Sequence, residues 1–213
     1  GGSEQANSQL FLAELCDVLG VSRPEPATPE NEANTYSFER KVFIPRGDGT
    51  QENKRLDLYR KGCFVLESKQ GKDKSVPLPL PGMTFSSAVK RGSHQWEEAM
   101  LKAVTQLVMP GVVAEADVLE AHVTAQRHKR AVRPLPCPEN YLLCVPAREG
   151  RPPFIIVCDV GFCFDLYAEF SCTGGNYLHF PNARSYRIRL KDLEKQEYRD
   201  ILRTIWTDPL SLN

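Results

Sequence analysis

The chain has 213 residues, 41% of them hydrophobic, which is enough to bury a core and suits one domain. Its 27 basic and 27 acidic residues cancel, so net charge alone predicts neither a nucleic acid nor an acidic partner. No apolar window of about 18 residues and no apolar leader occur, so we expect a cytoplasmic protein with no membrane partner.

Gly1, Gly2 and Ser3 are set aside. Residues 8–19 then read as an amphipathic helix with Leu10 or Phe11, Leu15, Val18 and Leu19 on one side and Gly20 as its stop. The proline- and acid-rich stretch SRPEPATPENEAN is a loop. YSFERKVFIP reads as a strand, RGDGTQEN as a turn, and LDLYRKGCFVLESKQ as two more strands, which makes two successive hairpins. Residues 75–92 carry Pro77, Pro79 and Pro81 and predict a surface loop. Residues 96–108 recur at helical spacing through Trp96, Ala99, Met100, Ala103, Val104 and Leu107, and GVVAEADVLEAHVTAQRHKR is a second helical segment. FIIVCD has the unbroken apolar pattern of a strand covered on both faces. CFDLYAEF and SYRIRL add strands, and DLEKQEYRDILRTIW closes the chain as a helix with Leu193, Tyr198, Ile201, Leu202 and Ile205 inward. The order predicts an α/β sandwich around a mixed sheet. Seven cysteines, most of them inside apolar runs and none in a C-x-x-C pair, predict reduced thiols.

Asp57, Glu67 and Lys69 interrupt strands that are otherwise apolar. An odd loop at Arg60-Lys61-Gly62, with Gly62 left-handed, puts residues 57, 59, 63, 65, 67 and 69 on one face. The other face is then Leu56, Leu58, Phe64 and Leu66. In that register Asp57 lies opposite Val65 and diagonal to Glu67, about 7–8 Å between backbones, so both carboxylates can converge on one ion. Paired carboxylates repel unless a cation stands between them. Mg²⁺ (or Mn²⁺) suits them, because it takes oxygen ligands and readily adds a phosphate oxygen. Lys69 can then orient a water and offset charge on a phosphorane. The bland alternative is a cross-strand salt bridge from Asp57 to Lys69 with Glu67 solvated, a pair worth little. Between Arg40 and Lys74 ten Lys or Arg face five Asp or Glu, and Lys54, Arg55 and Lys72 are the candidates for phosphate contacts on double-stranded DNA.

Asp57, Glu67 and Lys69, with nine residues and then one between them, resemble the active-site signature of the PD-(D/E)XK nuclease superfamily, although Leu56 stands where that signature often has proline. FLAELCDVLGV, YSFERKV, KGCFVLESKQ, PPFIIVCDVGFCFDLYAEFS and RLKDLEKQEYRDILRTIWTDPLSL together resemble the N-terminal nuclease region of single-chain type II restriction-modification enzymes and phage-defence DNA methyltransferases. The resemblance implies a restriction-endonuclease-like sheet flanked by helices over residues 1–213, with a helical insertion at about 110–138. It also implies that TDPLSLN leads toward a SAM-dependent adenine methyltransferase and target-recognition regions outside this chain. Asp57 and Glu67 become the metal ligands, and Glu14, Gln70 and Gln106 accessory candidates. The family often places Gln and Tyr four residues apart on the helix after the catalytic strands; here Gln106 is followed at that distance by Pro110, which leaves Tyr141 for the aromatic role.

Other chemistries lack their residues. RPPF at 151–154 is no adenine-methyltransferase signature, since Arg151 has no hydrogen-bond acceptor, and no glycine-rich strand-to-helix turn for SAM occurs. His122 and His128 are off helical metal-pair spacing. No serine nucleophile elbow or phosphate loop is present. The leading expectation is a metal-dependent endonuclease domain acting on double-stranded DNA. Its rivals are a nuclease fold kept as a DNA-binding or interaction module and a standalone repair or junction nuclease.

Overall fold

Leu12, Leu15 and Leu19 recur every three or four residues and give the first helix, α1 (Gly2–Leu19), a stripe to bury. In the computed structural model, which describes residues 2–45, 50–71, 89–107, 145–173 and 176–213, this helix starts well before Ser8. Phe11 packs inward and Leu12 and Cys16 are buried, whereas Leu10 and Val18 are exposed, so the inward stripe is rotated from the predicted one. The two hairpins form as β1 (Tyr36–Pro45), β2 (Gln51–Arg60) and β3 (Phe64–Lys69), paired antiparallel in sequence. Strand β2 already begins at Gln51, inside the predicted turn.

Helix α2 (His94–Leu107) carries the chain across, so that β4 (Phe154–Asp159) lies parallel to β3. Every residue of β4 is buried, as its unbroken apolar run requires. β5 (Cys163–Ala168) turns back antiparallel and pairs with both β6 (Leu178–His179) and β7 (Arg187–Arg189). Strand β6 was not anticipated, because two residues have no period to read. Among the described residues the sheet has seven strands in the order β1 to β6, with β7 beside β5. The predicted closing helix divides at Lys195 into a short 3-10 turn (Leu190–Glu194) and α3 (Gln196–Thr207).

The sheet is covered on both faces. On one, α1 and α3 bring Leu12, Leu15, Leu202, Ile205 and Trp206 against Leu58, Phe64, Leu66, Phe154 and Ile156. On the other, α2 brings Trp96, Met100, Val104 and Leu107 against Tyr59, Val65, Ile155 and Val157. Each large side chain so buried contributes roughly 1.5–3 kcal/mol. Leu56, expected beside Leu58, belongs to the second core. Strands β1 and β2 change faces at Glu39 and Asp57, where the ladder omits one pair and Glu39 takes a left-handed φ of 55°. Cys16, Cys63, Cys158 and Cys163 are buried free thiols, as predicted. The second helical segment, Tyr141 and Lys72 lie outside the described residues.

Candidate active site

The loop between β2 and β3 is Lys61-Gly62-Cys63, one residue later than the sequence reading, with Gly62 at φ 71°. The parity holds and the register shifts. Arg60 pairs with Phe64, Tyr59 with Val65 and Leu58 with Leu66. There the ladder stops, one step before it would set Asp57 opposite Glu67, and Val65 is the partner of Tyr59 rather than of Asp57. Beyond this point β2 stays with β1 while β3 stays with β4. The two strands part and a cleft opens between them.

Asp57, Glu67, Ser68, Lys69 and Gln70 line this cleft of about 500 Å³, together with Glu39 from β1. Gln5, Ser8, Gln9 and Leu12 of α1 form one wall, and Trp96, Ala99 and Met100 of α2 the other. Asp57 Oδ2 accepts hydrogen bonds from the Ser68 amide and hydroxyl, each 2.7 Å, which bridges the gap left by the missing ladder pair. Lys69 Nζ donates to Glu67 Oε1 at 2.9 Å. The predicted alternative, a salt bridge from Lys69 to Asp57 with Glu67 solvated, is not what forms; the Glu67 side chain is only 12% exposed.

Glu67 is the group under most electrostatic stress here. Its Oε2 atom is buried and, among the described residues, has no hydrogen-bond partner. Burial, and after it the negative charge of Asp57, raise its pKa to about 7 against the opposing pull of Lys69, with Glu39 a further raising charge. A cation between Asp57 and Glu67 would satisfy the orphaned oxygen and relieve the repulsion. Among the described residues no group of three His, Cys, Asp or Glu side chains is placed to hold a metal ion. Two carboxylates completed by waters and a substrate phosphate form the donor set that Mg²⁺ accepts, so these residues fit the ion.

The other sequence candidates are dispersed. Glu14 is exposed and Gln106 half-buried, and neither lines the cleft. Lys54 pairs with Glu52 at 2.7 Å and Arg55 with Glu39 at 3.2 Å, so both cations stand beside acids of their own hairpin. Sequence reasoning missed Glu39, whose left-handed conformation carries no glycine to mark it, and Ser68, which reads as filler between Glu67 and Lys69. Gln5, Ser8 and Gln9 were legible as a polar i, i+3, i+4 stripe on α1, had the helix been extended that far.

A model of the MmeI N-terminal domain matches residues 1–213, the full length of the chain. Comparison with curated proteins and with solved structures gives no match. The layered fold, the forked strands with their carboxylates and this full-length match agree, and the chain belongs to the MmeI N-terminal domain family, the N-terminal domain of MmeI-type restriction-modification enzymes.

Proposed function

We propose that this domain is the metal-dependent endonuclease of a restriction-modification enzyme, hydrolysing phosphodiester bonds of double-stranded DNA through Asp57, Glu67 and Lys69. The observation that carries the reading is the buried Oε2 of Glu67, unpartnered among the described residues, on a side chain that lines the same cleft as Asp57. Asp57 and Glu67 would hold Mg²⁺ or Mn²⁺, which when bound supplies Lewis-acid polarisation of the phosphodiester.

The chain's own residues do the rest. Ser68 donates twice to one oxygen of Asp57 and so fixes the carboxylate's orientation. Lys69 spends one N–H on Glu67, which leaves two for a water or a phosphate oxygen and puts a positive charge where negative charge grows in the transition state. The walls of α1 and α2 narrow the cleft, so a duplex presents its backbone there rather than entering whole. Methylation, with its SAM and an adenine target, belongs to the remainder of the parent enzyme, which also supplies sequence recognition.

The test uses the full-length restriction-modification enzyme. Lys69→Ala should lower the cleavage rate at saturating DNA by at least about a hundredfold, while DNA affinity and methylation stay near wild type, because the loss is confined to the transition state. A variant that cuts at the wild-type rate would remove Lys69 from the chemistry. A wild type that binds DNA but never cuts with any divalent metal would replace the nuclease with an interaction module.

A further inference from the structure

Asp159, the last residue of β4, is fully buried although it is ionisable, and the proposed chemistry makes no use of it. Among the described residues its two oxygens accept four hydrogen bonds. Oδ1 takes the Gly71 amide and Arg91 Nη2, each at 3.0 Å. Oδ2 takes Arg91 Nε at 3.0 Å and the Trp96 indole at 2.7 Å. Arg91 also donates to the Val160 carbonyl at 2.8 Å, and its guanidinium lies over the Phe162 ring. One carboxylate therefore ties together the end of β3, the segment before α2, and α2 itself. Two of the residues it holds, Gly71 and Trp96, line the cleft.

The position of this knot gives it a consequence for the site. Asp159 is the register partner of Lys69 on the parallel strand, and the Val160 amide donates to the Lys69 carbonyl at 2.9 Å. Lys69 is thus held from its backbone, and its strand is held again two residues on, at Gly71. The approach at Gly71 is so close that a Cβ there would stand 2.6 Å from Asp159 Oδ2 and 2.8 Å from Arg91 Cγ. The β2–β3 ladder has already ended at this point, so beyond the hydrogen bonds of Ser68 to Asp57 the course of β3 is set by what grips it from the β4 side.

We propose that Asp159 is a positioning residue for the candidate active site: its grip on Gly71, Arg91 and Trp96 sets the line of β3 beyond Glu67 and with it where the Lys69 amine stands. The inference rests on the nuclease reading for its effect on rate, but the placement of Lys69 can be read without cleavage. Two variants disturb the same hydrogen bond from opposite ends. Asp159→Asn removes the charge and Gly71→Ala inserts a methyl group.

In the full-length enzyme each should lower the cleavage rate at saturating DNA at least tenfold, with the KM for DNA, methylation and Mn²⁺ affinity close to wild type. In parallel, the side-chain ¹³Cε resonance of Lys69, assigned with Lys69→Arg in lysine-labelled enzyme, should shift in both variants, whether or not the enzyme cuts. Unshifted resonances with wild-type cleavage would overturn the proposal. Cleavage, methylation and Mn²⁺ affinity falling together with the melting temperature would overturn it too, in favour of a purely structural anchor. A wild type that never cuts would sink the nuclease reading alone, and the Lys69 resonance would still decide this one.

Discussion

Glu67 is held where a carboxylate is unfavourable, and the sign of its effect on stability follows from the direction of its shift. Burial and the charge of Asp57 raise its pKa from 4.5 to about 7, so the folded domain binds this proton more tightly than the unfolded chain. The stabilising contribution is complete below about pH 4.5 and is lost as pH rises through about 7. Metal-free wild type should therefore lose up to ~3 kcal/mol relative to Glu67→Gln between pH 5 and pH 8, measured by urea unfolding at both values. A gap between the two proteins that does not change with pH would contradict this account of Glu67. Calorimetric titration of the same pair with Mg²⁺ should show weak binding by wild type and none by Glu67→Gln, since the variant keeps the shape and loses the charge. Equal binding by both would move the ion elsewhere.

The hairpin of β2 and β3 shows what the sequence could and could not convey about an element. Gly62 between two apolar runs announces an odd loop, and with it the shared face of Tyr59 and Val65, while Asp57 and Glu67 come to line one cleft where β2 changes faces. Which odd loop forms was not legible, because Cys63 is apolar and buried like a strand residue while standing in the turn. The fork beyond Leu58 and Leu66 was also hidden, since it arises from β3 preferring β4, a partner far away in sequence. Glu39 escaped for a simpler reason: a left-handed residue that is not glycine has no compositional mark. Gly62 itself permits a clean check. A Cβ there would meet nothing within 4 Å, so Gly62→Ala strains only the backbone at φ 71° and should destabilise by about 1 kcal/mol. The shift in urea midpoint measures it, and cleavage by the refolded variant should be unchanged.

Across the whole molecule, helical and strand periodicity made the covered sheet legible, while the long-range polar ties were not. Arg40 of β1 is 1% exposed and meets Glu149, 109 residues later, at 2.6 Å; Tyr59 donates to the other oxygen of Glu149 at 3.0 Å. Arg40 also donates to the Asn34 carbonyl and lies over the Tyr59 ring, yet among the described residues its Nε is without a partner. Nothing in the spacing of these residues announces the pair. Removing one member leaves the other charge buried, so Glu149→Ala should cost about 3–5 kcal/mol in urea unfolding. A loss under about 1 kcal/mol would mean that water reaches Arg40 and that the pair is a surface ion pair.

The change of faces at Glu39 and Asp57 bears on how mutations in β2 combine. In an ordinary strand two leucines separated by one residue open onto the same space, and truncating both lets their cavities merge. Leu56 and Leu58 instead open into cores on opposite sides of the sheet. Leu56→Val and Leu58→Val should each cost about 1 kcal/mol, and a double-mutant cycle should return a coupling energy near zero, as for distant sites. Leu58 and Leu66, paired across the ladder in one core, should couple. Close neighbours in the chain would then be energetic strangers, with Asp57 standing at the boundary between them.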